Sequence, residues 1–193
     1  MTTQHRNYIN GKYVDTPNVN MLPVLNPSTE EVISEVPDSP AEIVDEAVAA
    51  AKAAQKSWKK LPAIERAGYL RQISAKIREN VPALARALTE EQGKVQTLSE
   101  IEIAFTADYI DYMAEWARRI EGEIINSDRP NENIFLFRQP VGVVAGILPW
   151  NFPFFLIARK LGPALVTGNS IVLKPSTDTP NNAAMFVELL NEI

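Results

Sequence analysis

Residues Val141-Gly142-Val143-Val144-Ala145-Gly146-Ile147-Leu148-Pro149-Trp150-Asn151-Phe152-Pro153 decide the fold. The first eight carry no polar side chain and are rich in β-branched residues. Such a run suits a strand covered on both faces, as in a parallel sheet. A helical pattern follows from about Pro153 to Val166 and stops at Gly168. Ser170 to Lys174 reads as a second apolar strand, and Thr179-Pro180 opens a last helix carrying Ala183, Phe186, Val187 and Leu190. Strand, helix, strand, helix is the order of a βαβ unit, so the class is α/β. Pro149 to Pro153 then falls at the carboxyl end of the first parallel strand, where open α/β sheets bind ligands.

Upstream, Ile124-Ile125 and Asn133 to Arg138 read as two strands around the polar loop Ser127 to Glu132. Before them the pattern is helical. Ser39-Pro40-Ala41-Glu42 has the form of a capping box with proline at the first helical position. Val44, Ala47, Val48, Ala51, Ala54 and Trp58 follow at helical spacing until Leu61-Pro62. A second helix carries Ala67, Leu70, Ile73 and Ile77, and a short third one around Leu84 and Leu88 stops at Gly93. A fourth runs from about Thr97 to Arg119, with Ile101, Phe105, Tyr109, Tyr112, Met113 and Trp116 as its apolar stripe. That spacing predicts a face packed in the core rather than a cofactor box. Near the start, Asn10-Gly11 suits the type I′ turn of a hairpin spanning Tyr8 to Val14. A second strand pair flanks Asn26 to Thr29, with Val24 and Leu25 before it and Val32, Ile33 and Val36 after it.

Composition narrows the chemistry. The chain has 193 residues, 46% of them apolar, enough for a sizeable core. Its net charge of −5 argues against non-specific binding to nucleic acid. No apolar run reaches membrane-span length and the first residues lack a signal-peptide pattern, so a cytoplasmic location is expected. Without cysteine the chain holds no disulfide, thiolate metal site or cysteine nucleophile. A lone histidine, His5, rules against histidine-clustered metal sites and Ser–His triads, and its terminal position predicts a solvated side chain. Only two parallel strands occur, which leaves sheet edges unpaired and reads as the front of a larger protein.

Gly146-Ile147-Leu148-Pro149-Trp150-Asn151-Phe152-Pro153 resembles the Pro-Trp-Asn-Phe-Pro signature of the NAD(P)-dependent aldehyde dehydrogenases. The likeness extends to the Tyr8-Ile9-Asn10-Gly11 hairpin, Asn26-Pro27, Trp58 with Leu61-Pro62 and Arg66, and Gln92-Gly93-Lys94. It continues through Lys160 to Leu165 and Gly168 to Ser176. Phe105 to Arg119 and Pro153 to Lys160 are most similar to the members acting on lactaldehyde and glycolaldehyde.

The resemblance implies a role for each matching residue. Asn151 matches the oxyanion-hole asparagine, a neutral amide that can donate to the oxygen made negative when a thiolate attacks an aldehyde. The lesser alternative is an asparagine that only holds a turn. Ile147, Leu148, Pro149 and Trp150 match the wall of the cofactor crevice. Lys174, with Ser176 and Thr177 after it, matches the segment that hydrogen-bonds the adenosine ribose; a solvated strand end is the bland alternative. Lys160 matches a lysine proposed to relay protons, though a helix-surface lysine accounts for it as well. Phe152 and Arg159 are the substrate-side candidates. Arg159 lies eight residues past Asn151, and its guanidinium suits a polar α-substituent or carboxylate; a surface arginine is an even alternative. Thr177 departs from the glutamate usual in NAD-preferring members, so NAD is expected with NADP admitted. No residue here is a metal ligand.

The expected architecture is therefore the N-terminal part of a Rossmann-type cofactor-binding domain with a protruding β-hairpin. Residues 1–122 form its leading strands and helices, 123–140 an oligomerisation hairpin, and 141–193 the first βαβα part of the sheet. The implied full-length enzyme is a homo-oligomer that oxidises a small hydroxyaldehyde, with no nucleic-acid or membrane partner. The family's nucleophilic cysteine and general-base glutamate lie further along than residue 193, so this chain alone is expected to be inactive. The rival reading is a non-catalytic chain serving as an oligomerisation or interaction module.

Overall fold

The computed structural model describes residues 2–193. Short strands come first. β1 (Thr3–Gln4) lies parallel to β5 (Val32–Pro37), which pairs on its other side with antiparallel β4 (Met21–Leu25). Between β1 and β4, β2 (Asn7–Ile9) and β3 (Lys12–Val14) form the predicted hairpin. Asn10 and Gly11 have φ of 53° and 77°, as a type I′ turn requires.

Six helices follow in the chain: α1 (Ala41–Trp58), α2 (Ala63–Glu79), α3 (Val81–Gln92), α4 (Gln96–Glu115), α5 (Pro153–Val166) and α6 (Asn181–Leu190). The expected capping box at α1 does not form; Pro40 is the cap residue, without a side-chain bond. Ser39 is already occupied: its hydroxyl accepts from Asn7 Nδ2 at 2.7 Å and donates to the Pro37 carbonyl. α3 ends at Gly93 with φ of 74°, and a Cβ there would come within 2.9 Å of Pro27 Cγ.

α4 overturns most of the expected core stripe, of which only Tyr109 and Met113 pack, half-buried, against the core. Ile101, Phe105, Tyr112 and Trp116 are exposed, while Ser99, Glu102, Ile103, Thr106, Ala107, Ile110 and Ala114 are buried. The helix packs against α2, α3 and α5, and close helix approach favours small side chains. The aromatics therefore occupy the outer face, where Tyr112 meets Trp116 edge-on and Phe105 stacks on Phe155 of α5. The last turn tightens to a 3₁₀ segment over Trp116–Arg118.

The core proper is a cluster from α2, α3, α4, α5 and α6, with Leu70, Ile77, Leu84, Leu88, Ile103, Ile110, Phe154 and Phe186 essentially inaccessible. Phe154 and Phe186 meet edge to face at 5.8 Å and tie α5 to α6. His5 is half-buried rather than solvated. Its Nε2 lies 2.7 Å from Asn181 Oδ1, joining the amino end to α6.

β8 (Val143–Ile147) and β9 (Ser170–Lys174) are parallel, with Gly146 opposite Leu173 and Ile147 opposite Lys174. They form a two-stranded sheet among the described residues. α5, the crossover helix, lies on the Gly146 face, where a Cβ on Gly146 would sit 3.4 Å from Lys160 Cβ. On the other face Ser170 Oγ donates to Ala51 O of α1. Despite both helices, β8 is not fully covered as expected, since Ala145 and Ile147 are exposed. Between the helical cluster and β8, β6 (Glu123–Asn126) and β7 (Asn133–Leu136) make an antiparallel ribbon exposed along its whole length. No helix of the described residues is long and apolar enough to cross a membrane.

Candidate active site

The carboxyl ends of β8 and β9 lie side by side because the strands are parallel and in register. Leu148 N donates to Lys174 O at 3.0 Å, extending the ladder one step past β8. Beyond that step the two chains diverge into separate turns. One carries Pro149, Trp150, Asn151 and Phe152; the other carries Lys174, Ser176 and Thr177. The fold thus brings the proposed oxyanion donor and the proposed cofactor lysine to one edge of the sheet.

Pro149, Trp150, Asn151 and Phe152 are all exposed. Ile147 is 71% exposed, whereas Leu148 is 4% exposed and belongs to the core. The Leu148 side chain is thus packed into the core. Lys174 is exposed, and its Nζ donates to the neighbouring Pro175 carbonyl at 3.0 Å. An ammonium has two further N–H groups to offer. Ser176 Oγ donates to Asp178 Oδ2 and accepts from Asp178 N, both at 3.3 Å, which folds the turn back on itself. Thr177 is exposed.

Lys160 and Arg159 sit on the second turn of α5 and diverge. Lys160 is half-buried against β8. Arg159 is exposed, with its guanidinium 6.0 Å from the Phe155 ring centroid. Phe155 in turn contacts Phe105 at 4.6 Å and Tyr109 at 5.5 Å. Arg159 therefore borders an aromatic patch built by α4 and α5.

The turn at Asn151 is held from behind by residues that the sequence reading did not assign to the site. Gln92 Nε2 donates to the carbonyls of Trp150 (2.9 Å) and Asn151 (2.7 Å). Glu102 is 3% exposed, and its Oε1 accepts from the backbone N–H groups of Phe154 and Phe155, each at 3.1 Å. Its other oxygen pairs with Lys94 Nζ, which lies 4.2 Å from the Phe152 ring centroid. Gln92 and Lys94 were visible as part of a matching string. Glu102 carried a different signal: a charge at helical spacing with Ser99 and Thr106, at the edge of the aromatic stripe.

Three further side chains brace the end of α5. Arg66 Nε donates to Val166 O at 3.1 Å and its Nη1 to Leu61 O; burial pushes its guanidinium pKa down. Gln55 Nε2 donates to Gly168 O at 3.1 Å and Trp58 Nε1 to Leu165 O at 3.0 Å. Together they satisfy the carbonyls left open at the end of α5. At the opposite corner Glu91, buried at the start of α6, is raised to about 7, chiefly by desolvation.

With this geometry in place, the likeness to known proteins is specific. A family model described as "Aldehyde dehydrogenase family" matches residues 13–193. Lactaldehyde dehydrogenase of Escherichia coli K12 is 60% identical over 190 residues, covering 98% of this chain and 40% of that protein. The crystal structure of lactaldehyde dehydrogenase from Escherichia coli superposes with a TM-score of 0.97 at 58% identity, over 100% of this chain and 40% of that one. A structure of 3,6-anhydro-L-galactose dehydrogenase in complex with NAP gives a TM-score of 0.94 at 40% identity, covering 98% and 40%. The chain thus spans about two-fifths of the length of the relatives it matches.

Proposed function

The chain belongs to the aldehyde dehydrogenase family, and from that premise we propose that Asn151 is the oxyanion donor of a small-aldehyde dehydrogenase. The observation that carries this reading is the state of Asn151. Its backbone carbonyl is bonded, its side chain is exposed, and its amide has no hydrogen-bond partner among the described residues. A donor held in place yet uncommitted is what a developing negative oxygen requires.

The attacking thiolate comes from outside this chain, which holds no cysteine, so the 193 residues alone do not turn over aldehyde. The nicotinamide cofactor, when bound, supplies a hydride acceptor. Residues fit to hold it lie along the shared edge of β8 and β9. Ile147, Pro149 and Trp150 offer exposed apolar surface, and Lys174 keeps spare donors for ribose hydroxyls. Thr177 presents a hydroxyl where a carboxylate would repel a 2′-phosphate, so NAD is preferred without strict exclusion of NADP.

The substrate is a short hydroxyaldehyde of the lactaldehyde or glycolaldehyde type. Support comes from the lactaldehyde dehydrogenase similarity and from Arg159, an exposed guanidinium at the rim of the Phe105–Phe155 patch. Phe152 belongs to the same substrate-side surface. Lys160, held beside β8, serves as a proton carrier. Ile124, Ile125, Ile134 and Phe135 make the 123–140 ribbon apolar and open, as an oligomerisation hairpin requires. The intact enzyme is then a cytoplasmic homo-oligomer, with residues 1–122 and 141–193 as parts of its cofactor-binding domain.

Asn151→Ala in the full-length polypeptide tests the reading. Turnover falls about 10²- to 10³-fold with little change in KM. A turnover within about threefold of the parent overturns it.

A further inference from the structure

We propose that Gln92, Lys94 and Glu102 form a positioning clamp that aims the Asn151 amide, an inference that rests on the oxyanion role given above. All three belong to one short stretch, from the end of α3 to the second turn of α4. Between them they reach nearly every residue of the turn. Gln92 binds the carbonyls of Trp150 and Asn151, and Lys94 lies over the Phe152 ring. Pro153 has a fixed φ and no N–H, and Glu102 takes the N–H groups of Phe154 and Phe155. Five of the six residues from 150 to 155 are therefore tied to this stretch, and the sixth is stiff by itself.

The clamp also decides which group can stabilise an anion. The start of α5 is adjacent to Asn151, and a free helix N-terminus is an anion site in its own right. Here Glu102 has filled it with a carboxylate, and Lys94 pairs with that carboxylate. The helix end is thereby withdrawn from competition, while the Asn151 side-chain amide beside it stays uncommitted.

The three members differ in what their loss costs. Glu102 and Lys94 form a pair with side chains 1% and 13% exposed, so removing one strands a buried charge and endangers folding. Gln92 binds two carbonyls of exposed residues, which water can satisfy in its absence. Gln92→Met and Gln92→Ala therefore loosen the turn while sparing the fold.

The experiment is a double-mutant cycle in the full-length polypeptide. The reaction followed is hydrolysis of 4-nitrophenyl acetate, which needs the thiol and the oxyanion donor but no cofactor. Thermal unfolding is recorded for each variant. Gln92→Met and Gln92→Ala each lower kcat about tenfold, with KM and the unfolding midpoint close to those of the parent. In an Asn151→Ala background the same substitutions change kcat by less than about twofold, because the group they aim is gone. The clamp is overturned if the Gln92 variants leave kcat unchanged, or if they lower it equally in both backgrounds. If Asn151→Ala alone leaves kcat unchanged, the oxyanion reading fails first, and the two failures are told apart.

Discussion

Glu91 closes the first turn of α6 by accepting two hydrogen bonds from Asn182 on one carboxylate oxygen, from the backbone N–H at 3.0 Å and from the side-chain amide at 2.5 Å. Its other oxygen accepts from Asn181 N at 2.6 Å. The residues are 91 positions apart, so the contact ties α6 to α3. No cation pairs with Glu91 among the described residues, and the nearby Glu102 charge adds to the burial cost that raises it to about 7.

That elevation makes stability pH-dependent. Between an ordinary carboxylate value and 7 the folded chain keeps a proton that the unfolded chain gives up. Ionisation therefore favours unfolding: the contribution is complete below the ordinary value and declines as pH rises toward 7. A tenfold change in proton affinity is about 1.4 kcal/mol, so the full effect is on the order of 3 kcal/mol. Urea unfolding from pH 5 to pH 8 should show Glu91→Gln gaining on the parent as pH rises. A constant gap between the two proteins refutes the assignment.

Arg66 lies where the α5 macrodipole is negative, and no carboxylate partners it among the described residues. Arg66→Leu removes the donors to Val166 O and Leu61 O together with the compensating charge. A loss of about 2–4 kcal/mol is expected in denaturant unfolding. Arg66→Lys recovers only part of it, since one ammonium cannot reproduce the guanidinium fork.

Gly162 faces Met113 across the α4–α5 contact, and a Cβ there would lie 2.9 Å from Met113 Cγ. Met113 is flexible but packs against the core, so Gly162→Ala costs about 1–3 kcal/mol by overpacking, partly offset by better helix propensity. Gly162→Ala with Met113→Ala should recover only part of that loss, because the Met113 Cβ, 3.0 Å from the added methyl, is retained. Calorimetric midpoints of the two variants decide it.

Thr177→Glu places a carboxylate on the turn beside Lys174. In the full-length polypeptide the ratio of kcat/KM with NAD to that with NADP should rise about tenfold or more, through loss of the NADP reaction. An unchanged ratio removes Thr177 from the cofactor edge.

The βαβα order was legible because its strands are unbroken apolar runs and its helices have distinct ends, from Val143 through Gly168 to Lys174. The Asn10-Gly11 turn was legible because two adjacent positive φ angles select that dipeptide. The inner face of α4 was not, since large aromatic residues dominate a periodicity reading. What decides the buried face is how near α2 and α5 come, and they admit Ala107, Ala114 and Thr106 while excluding Phe105 and Trp116. The turn at Asn151 was found as a string. Gln92 was visible only within another string and Glu102 not at all as supports of this turn, because they lie 59 and 49 positions before Asn151 and meet it only once α3, α4 and α5 have packed.

The parallel pair β8–β9 has an open hydrogen-bonding row on each side. α5 and α6 close the helical core around Phe154 and Phe186 with the sheet two strands wide among the described residues. The pair is thus a template: any strand that joins either edge meets a fixed register and a fixed polarity.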